Sequence, residues 1–295
     1  MNKKLKGFAV ALWFVLIAYI LHVLFAIPET PDLFSFNERI LGAHRGNALN
    51  YTENTIPAFQ NALEENKYKF IEFDVQYTKD KQAIVHHDTS LIRLQSKLEF
   101  IEDLNYTELL NISDYHIPTY EEVMNLLAGK KPLNIEIKSQ GNSEHDKELA
   151  EYIITDCKER NILNTTMISS ISSDVLLYLR NNHPDIKTGK IYYVYTGSFL
   201  DTKGFVSDIF TELDRIDAEY LMIYGANLKN FGHVWQHMRT RQRTDQRKIF
   251  LAYWYFNDEM YLVYRADKEY YYEDPATKQM VKNESMKVPP EVIGA

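Results

Sequence analysis

The sequence has almost no cysteine and no excess of positive charge. Its 295 residues contain one cysteine, Cys157, and the formal net charge is −8. A lone cysteine cannot form an intramolecular disulfide, and its polar, helix-like surroundings indicate a structural residue rather than a nucleophile. An acidic chain without a basic stripe is a poor binder of phosphate polymers, which excludes nucleic acid as the expected partner. No protein partner is evident from the sequence.

Internal repeats and low-complexity linkers are also lacking between residues 38 and 281. Hydrophobic residues make up 45% of the chain and charged residues 25%, which is the composition of an ordinary globular protein. We therefore expect a single domain over residues 38–281, followed by a polar tail at 282–295.

One long uncharged run is present near the N-terminus. Three lysines among residues 1–6 precede the run at residues 7–27, which as a helix at about 1.5 Å per residue would span about 30 Å, the thickness of a bilayer core. A cleaved signal peptide has a shorter apolar region, of about 7–15 residues. The positive-inside bias then predicts a cytoplasmic tail at 1–6, a single-pass transmembrane helix in the cell membrane at 7–27, a linker at 28–37 and an extracytoplasmic domain.

Short strand-like runs alternate with amphipathic helical stretches along the domain. The strand-like runs are RILGAH, KFIEFDVQYT, QAIVHHD, PLNIEIK, TTMISSI, KTGKIYYVY, EYLMIYG and KIFLAYWYF. Helical patterns such as TIPAFQNALEEN and TYEEVMNLLAG separate several of them, and this βα rhythm predicts a parallel sheet. About eight such units in one domain predict an α/β fold, a (β/α)₈ TIM barrel, whose functional residues lie at the carboxyl ends of the strands.

The rhythm changes at two points. Only KDK separates QYT from QAIV, which is too short for a crossover helix, so we expect these two strands to form a hairpin. A ninth run, EYYYED at residues 269–274, is a further candidate for closing the barrel. The number of barrel strands is therefore open by one.

Acidic side chains fall on one face of two neighbouring strand-like runs. The period of two puts Glu72 and Asp74 together, and it puts Glu136 with Lys138 on the face opposite the apolar residues. Carboxylates that converge at a barrel mouth repel one another, which is relieved by a raised pKa or by a bound cation. Oxygen ligands without a cysteine cluster favour one hard divalent ion, Ca²⁺ or Mg²⁺. The alternative is a set of ordinary carboxylates paired with Arg45 and Lys138.

Two histidines and two cationic residues complete the polar set. His44 ends the first strand, and one of His86 and His87 ends the third, since adjacent strand residues point in opposite directions. A histidine pair can divide the general base and general acid roles. Arg45 and Lys138 would donate hydrogen bonds to an anionic substrate. Together with a cation, this set fits the cleavage of a phosphodiester.

The ordered motifs of the chain resemble those of the glycerophosphodiester phosphodiesterases, over about Arg39 to Met280. The motifs that carry the resemblance are HRG with ENT, EFDVQYTKD, AIVHHDTSLIR, IPTYEEVM and IEIK. The resemblance weakens after Lys138, where MISSIS, YWYFND and YYYEDPA are degenerate versions of the later motifs. It implies a barrel of the type shared with phosphoinositide phospholipases C, and the hydrolysis of glycerophosphodiesters to glycerol 3-phosphate and an alcohol.

The resemblance also assigns a role to each matching residue. It implies that the metal ligands are Glu72, Asp74 and Glu136, that the acid–base pair is His44 and His87, that the phosphate contacts are Arg45 and Lys138, and that the supports of the loop after His44 are Glu53 and Asn54. The family's histidine directly precedes an aspartate, here Asp88, which leaves His86 without a catalytic role.

The identity of the released alcohol stays open. The run YWYFND carries Tyr255 and Phe256 where many relatives of the family have Thr and Val, and Glu273 replaces a usual Thr. Trp254 and Phe256 are candidates for a substrate pocket, where aromatic rings could stack on a choline-like cation or contact an acyl chain. Aromatic residues on strands also serve as core, which is the alternative for this cluster.

Two other functions are compatible with the motifs. A lysophospholipase D, or a sphingomyelinase-D-like enzyme, could use the same catalytic residues on a lipid that the predicted membrane anchor would make reachable. A non-catalytic protein that binds a glycerophosphate polymer is the second alternative. The presence of both histidines and all three carboxylates disfavours it, because binding alone requires cations and no acid–base pair.

Overall fold

The computed structural model describes residues 13–19, 39–193, 202–225, 250–254, 259–263, 271–273 and 280–282. Residues 13–19 are helical and are called α1. Within the ranges just given, no helix is long and apolar enough to cross a bilayer. The rest of the predicted anchor, the linker at 28–37, Phe256 and most of the tail after residue 281 lie outside the described residues. The membrane anchor therefore stays a prediction.

Eight strands close into a barrel. The strands in the described residues are β1 (Arg39–Ala43), β2 (Phe70–Tyr77), β3 (Ala83–Val85), β4 (Leu133–Ile137), β5 (Thr166–Ser170), β6 (Lys187–Tyr192), β7 (Tyr220–Tyr224), β8 (Phe250–Trp254), β9 (Glu259–Val263), β10 (Tyr271–Glu273) and β11 (Met280–Lys282). Their order around the barrel is β1, β2, β4, β5, β6, β7, β8 and β9, which returns to β1. The predicted barrel is confirmed, and seven of its strands run parallel.

The eighth barrel strand differs from the prediction. β9 runs antiparallel to both of its neighbours, β8 and β1, so the barrel departs from eight parallel strands. Only residues 255–258 lie between β8 and β9, a connection too short for the crossover that parallel strands need, so the two strands pair antiparallel. The run at 269–274 was predicted as the candidate for closure, and this was wrong. It contains β10, which pairs with β11 in a separate ribbon.

The helices surround the barrel. Beyond α1 they are α2 (Ile56–Glu64), α3 (Ile92–Gln95), α4 (Tyr106–Ile112), α5 (Tyr120–Leu127), α6 (Ser143–Glu159), α7 (Ser173–Asn182) and α8 (Thr202–Ile216). Local sequence explains where they begin. Helix α5, for example, starts at a capping box, in which Thr119 accepts from the Glu122 backbone N–H and Glu122 accepts from the Thr119 backbone N–H. The predicted hairpin is also confirmed, since β2 and β3 are antiparallel.

Alternation along each strand produces two apolar layers. On β4, Leu133, Ile135 and Ile137 pack against the helices in the large outer core. A second, smaller cluster fills the barrel, where Phe70, Met222 and Trp254 are members. Both faces of the strands are therefore buried, and the inward polar side chains collect near the carboxyl ends. This position is where a barrel of this kind places its functional residues.

Gly42 is required by the close approach of β1 to the side chain of Phe70. A Cβ atom at Gly42 would overlap the Phe70 ring, which is itself buried inside the barrel. We expect Gly42→Ala to reduce the free energy of unfolding by about 1–3 kcal/mol, since a tightly packed interior cannot absorb a methyl group without displacement. Urea denaturation would measure the loss.

Gly189→Ala is the matched control. A Cβ atom at Gly189 would meet the sulfur of Met222, a flexible side chain that can turn aside at lower cost. Gly42→Ala should therefore be the more destabilising substitution, and combining it with Phe70→Leu should recover part of the loss. Equal effects of the two glycine substitutions would contradict this account of the barrel interior.

Candidate active site

Three carboxylates from two neighbouring strands meet inside the barrel. Asp74 and Glu136 are partners in the register of β2 and β4, so their side chains point in the same direction, and Glu72 shares their face because strand side chains alternate. One oxygen from each of the three residues lies within 4.8 Å of the others. All three residues are buried. The structure thus brings together the carboxylates that the sequence assigned to one cluster.

The charges of this cluster are unevenly compensated. Burial, followed by the neighbouring charges of Asp74 and Glu136, raises the pKa of Glu72 well above its ordinary value. Burial also raises the pKa of Glu136, despite the opposing charge of Lys138. Burial would raise the pKa of Asp74 too, but the charges of His87, Lys138 and Arg45 outweigh it and hold the pKa of Asp74 well below its usual range. Glu72 is therefore the carboxylate with the least stabilised negative charge.

Two oxygens of the cluster have the character of open ligand positions. Glu72 Oε1 and Asp74 Oδ1 are buried and accept no hydrogen bond from the described residues. The ammonium group of Lys138 lies 3.6 Å from Asp74 Oδ1. Buried carboxylate oxygens are costly unless they are paired or coordinate a cation. A set of carboxylate oxygens suits a hard ion such as Ca²⁺ or Mg²⁺. The residues present therefore fit a divalent cation at this position.

Arg45 and Lys138 lie against the carboxylates, as the ion-pair alternative expected. Lys138 Nζ donates to Glu136 Oε1 at 2.6 Å. The Arg45 backbone N–H donates to Glu72 Oε2 at 2.8 Å, and its Nε lies 3.4 Å from Asp74 Oδ2. However, Arg45 Nη1 donates to a fourth carboxylate, Glu53 Oε1, at 2.9 Å. The two cations are thus shared among four carboxylates, so ion pairing alone does not neutralise the cluster.

The loop after β1 is held in an unusual backbone conformation. Arg45 and Asn54 both have φ of 58°, in the left-handed region that is costly for residues other than glycine. The Asn54 backbone N–H donates to the Arg45 carbonyl at 2.9 Å, and the Asn54 side-chain Nδ2 donates to Asp74 Oδ2 at 2.8 Å. Asn54 therefore does more than support the loop, because it also orients a carboxylate of the cluster.

The two histidines of the HH pair have different surroundings. His86 is buried, its Nδ1 lies 2.9 Å from the Asp88 carbonyl, and burial lowers the pKa of its ring. His87 remains partly accessible, and its Nδ1 lies 2.6 Å from Asp88 Oδ1. The charge of His87 also lowers the pKa of Asp74. Of the two histidines, His87 is therefore the one that remains accessible at the mouth.

His44 follows directly after β1 and lies close to Glu72 of the cluster. It is buried, with Nε2 at 3.9 Å from Glu72 Oε2 and its ring 6.4 Å from the ring of Trp254. Trp254, a pocket candidate, is thus placed next to a histidine at the mouth. Tyr253, in the same run, belongs to the outer core instead. The core alternative therefore holds for Tyr253, and the second pocket candidate, Phe256, lies outside the described residues.

Asp88 and Arg93 were not assigned a role from the sequence. Asp88 contacts His87, and Arg93 of α3 contacts both Asp88 and Glu53. The motif AIVHHDTSLIR contains both residues, but α3 is a single short turn whose direction the sequence does not indicate. The contact of Arg93 with Glu53, in the loop that follows His44, exists only in the folded chain.

Comparison with known proteins agrees with this architecture. Residues 44–266 match the model of the glycerophosphoryl diester phosphodiesterase family. A glycerophosphodiester phosphodiesterase of Caldanaerobacter subterraneus subsp. tengcongensis is 34% identical over 161 residues, which are 51% of this chain and 65% of the relative. A human lysophospholipase D is 35% identical over 116 residues, which are 34% of this chain and 36% of the relative. The matched stretch spans less than two thirds of each of these relatives.

Solved structures resemble the barrel as a whole. The glycerophosphodiester phosphodiesterase of Thermotoga maritima superposes with a TM-score of 0.55 at 25% identity, covering 74% of this chain and 85% of that chain. A phosphodiesterase of Oleispira antarctica, solved in complex with the product sn-glycerol-3-phosphate, gives 0.52 at 19% identity, covering 70% of this chain and 83% of that chain. The second likeness concerns the fold alone. Since the family model spans most of the barrel, from His44 onward, the chain belongs to the glycerophosphoryl diester phosphodiesterase family.

Proposed function

We propose that this protein hydrolyses glycerophosphodiesters to glycerol 3-phosphate and an alcohol. The observation that carries the proposal is the buried cluster of three carboxylates with two oxygens open to a cation. His44 lies close to Glu72, and the charge of His87 acts on Asp74 and Glu136. Membership of the family and the names of the relatives support the same activity.

The carboxylates Glu72, Asp74 and Glu136 would hold one divalent cation. When bound, the cation would neutralise negative charge on the phosphoryl oxygens of the substrate. Lys138 has three N–H donors and uses one on Glu136, so it retains donors for a phosphate oxygen. The Arg45 guanidinium likewise retains N–H donors beyond its bond to Glu53. We assign both side chains to binding and orienting the phosphate.

The histidines divide the proton transfers. His44 accepts a proton, either from water or from a neighbouring hydroxyl group of the glycerol, and His87 donates one to the departing alcohol. Asp88 is an ionised acceptor, since the bonds from His87 and Arg93 outweigh burial and hold its pKa below the usual range. The Nδ1 of His87 therefore donates to Asp88, which leaves Nε2 as the atom that holds and releases the transferred proton.

A lipid substrate is the second candidate. In the described residues after α1, most of the exposed large hydrophobic side chains lie on connecting segments, and Ile92 begins the short helix α3. Those on connecting segments are Leu49, Tyr51, Leu98, Phe100 and Tyr193. Loops that expose several such residues favour contact with a lipid, and one relative is named a lysophospholipase D.

A membrane anchor at residues 7–27 with an extracytoplasmic domain is part of this proposal. Protease added to intact cells should then remove the domain, and its survival would contradict that orientation.

We expect chelation to abolish activity and an added divalent ion to raise the melting temperature. The raised pKa of Glu72 means that the metal-free folded chain keeps a proton above the ordinary value of 4.5. The stability of the metal-free protein therefore falls as the pH rises above that value, because the folded state binds more protons than the unfolded state. A cation competes with this proton, so the thermal shift produced by Ca²⁺ or Mg²⁺ should grow as the pH rises above 4.5.

Differential scanning fluorimetry across this pH range, with and without EDTA, measures the shift. Glu72→Gln should weaken ion binding and flatten its pH dependence, whereas Glu122→Gln, at a distant helix cap, should leave both unchanged. Full activity in excess EDTA would contradict the proposed metal site.

We expect His44→Ala and His87→Ala each to lower kcat on glycerophosphocholine by about 10²–10⁴-fold, the usual contribution of one general acid or base. His86→Ala should have little effect on the chemistry, because its ring faces the Asp88 carbonyl. On a nitrophenyl ester the leaving group needs no acid, so His87→Ala should recover activity while His44→Ala should not. Steady-state kinetics on both esters at matched metal occupancy would measure this. Equal recovery of the two variants would overturn the assignment of roles.

The lipid candidate can be tested by comparing vesicles that contain lysophosphatidylcholine with the water-soluble glycerophosphocholine. Leu98 is 77% exposed, and a charge at this position should disturb contact with a lipid surface. Leu98→Asp should lower kcat/KM on the vesicles by about tenfold, corresponding to about 1.4 kcal/mol, with the water-soluble ester unaffected. Tyr152→Asp, on the outer helix α6, is the control. If Leu98→Asp has the same effect on both substrates, the lipid candidate loses its support.

A further inference from the structure

One arginine joins the two loops that carry the histidines. Arg93 donates from Nη1 to Glu53 Oε2 at 2.9 Å and from Nη2 to Glu53 Oε1 at 2.5 Å. Its Nε donates to Asp88 Oδ2 at 2.6 Å. Arg93 thus makes a bidentate contact with one carboxylate and a third bond to another, which a planar guanidinium can do and an ammonium cannot.

The two carboxylates differ in how firmly they are held. Glu53 is only 13% exposed as a side chain and also accepts from Arg45 Nη1 at 2.9 Å. It is therefore fixed to the loop after β1 without the help of Arg93. Asp88 is 21% exposed and has two side-chain donors among the described residues, His87 Nδ1 and Arg93 Nε. The orientation of Asp88 consequently depends on Arg93.

We propose that Arg93 is a positioning residue for the acid half of the reaction, an inference that rests on the proposed function. Glu53 holds the guanidinium of Arg93 in place, and Arg93, which bridges the two loops, in turn orients the carboxylate of Asp88. With Asp88 Oδ2 occupied by Arg93, Oδ1 faces His87 Nδ1 and holds the imidazole so that Nε2 points away from Asp88. Without Arg93, Asp88 is free to rotate, and the nearby carboxylate of Glu53 repels it.

Stability accounts for only part of this arrangement. Arg93 is 45% exposed as a side chain, so solvent screens part of what its ion pairs contribute to folding. The charge-assisted bonds nevertheless lower the pKa of both Glu53 and Asp88 against the effect of burial. Their effect is therefore best explained by the orientation of Asp88 and, through it, of His87.

A double-mutant cycle on two substrates tests the inference. We expect Arg93→Ala to lower kcat on glycerophosphocholine by about 10–100-fold, a part of the general-acid contribution, with KM little changed. On the nitrophenyl ester most of this loss should disappear, as for His87→Ala. Adding Arg93→Ala to His87→Ala should cost no more than about twofold, because two residues that act through one group are not additive.

Three further variants serve as controls. Arg160→Ala removes another arginine–aspartate contact, from Arg160 Nε to Asp156 Oδ1 at 2.8 Å, at the end of α6, and should leave kcat unchanged on both esters. Arg93→Lys should recover little, because a point charge cannot hold both carboxylates. Arg93→Gln provides a second variant if Arg93→Ala fails to fold, as judged by thermal melting and by divalent-ion binding.

The outcomes separate this inference from the proposed function. If His87→Ala keeps full activity, the assignment of His87 as the acid fails, and the role of Arg93 fails with it. If His87→Ala loses activity while Arg93→Ala does not, only the inference about Arg93 is overturned. The inference about Arg93 is also overturned if Arg93→Ala lowers kcat by the same factor on both esters. It is overturned as well if the kcat losses of Arg93→Ala and His87→Ala multiply in the double mutant. A purely structural role of Arg93 would produce either result.

Discussion

Repulsion among three buried carboxylates is the constraint on which the rest of the site depends. The hydrogen bonds between β2 and β4 fix Asp74 opposite Glu136, so the backbone cannot move the charges apart. Compensation must therefore come from other parts of the chain. Arg45, Asn54 and Lys138 supply it from loops and strand ends, and a divalent cation would supply the remainder. In this view the strained loop after β1 is held in place by the carboxylates that it partly neutralises.

Closure of the barrel determines the position of His44. β1 pairs with β2 only at its last two residues, Gly42 and Ala43, whereas it pairs with β9 along its whole length. The strand that delivers His44 is therefore held mainly by an antiparallel strand from the other end of the domain. Trp254, at the end of β8, comes close to His44 through the same closure. The late strands thus contribute to the site even though its charged residues come from the first half of the chain.

Polar contacts between loops link the two histidines. Starting from the loop after β1, bonds run from Arg45 to Glu53, then to Arg93, Asp88 and His87. Each bond is charge-assisted, and such bonds are shorter and more directional than neutral ones. The distance between His44 and His87 is therefore set by a continuous set of ion pairs as well as by the barrel. The two proton transfers that we propose would require such a fixed separation.

The sequence by itself determined what depends on neighbours along the chain. Alternation placed Glu72, Asp74 and Glu136 on their faces, a three-residue connection made the β2–β3 hairpin necessary, and capping residues started helix α5. Only the tertiary structure decided which strand closes the barrel, that Asn54 bonds to Asp74, and that Arg93 joins Glu53 to Asp88. Asn54 reaches Asp74 across 20 residues of sequence, and Arg93 reaches Glu53 across 40. Periodicity carries no information over such separations, because these contacts exist only once the barrel has brought the loops together.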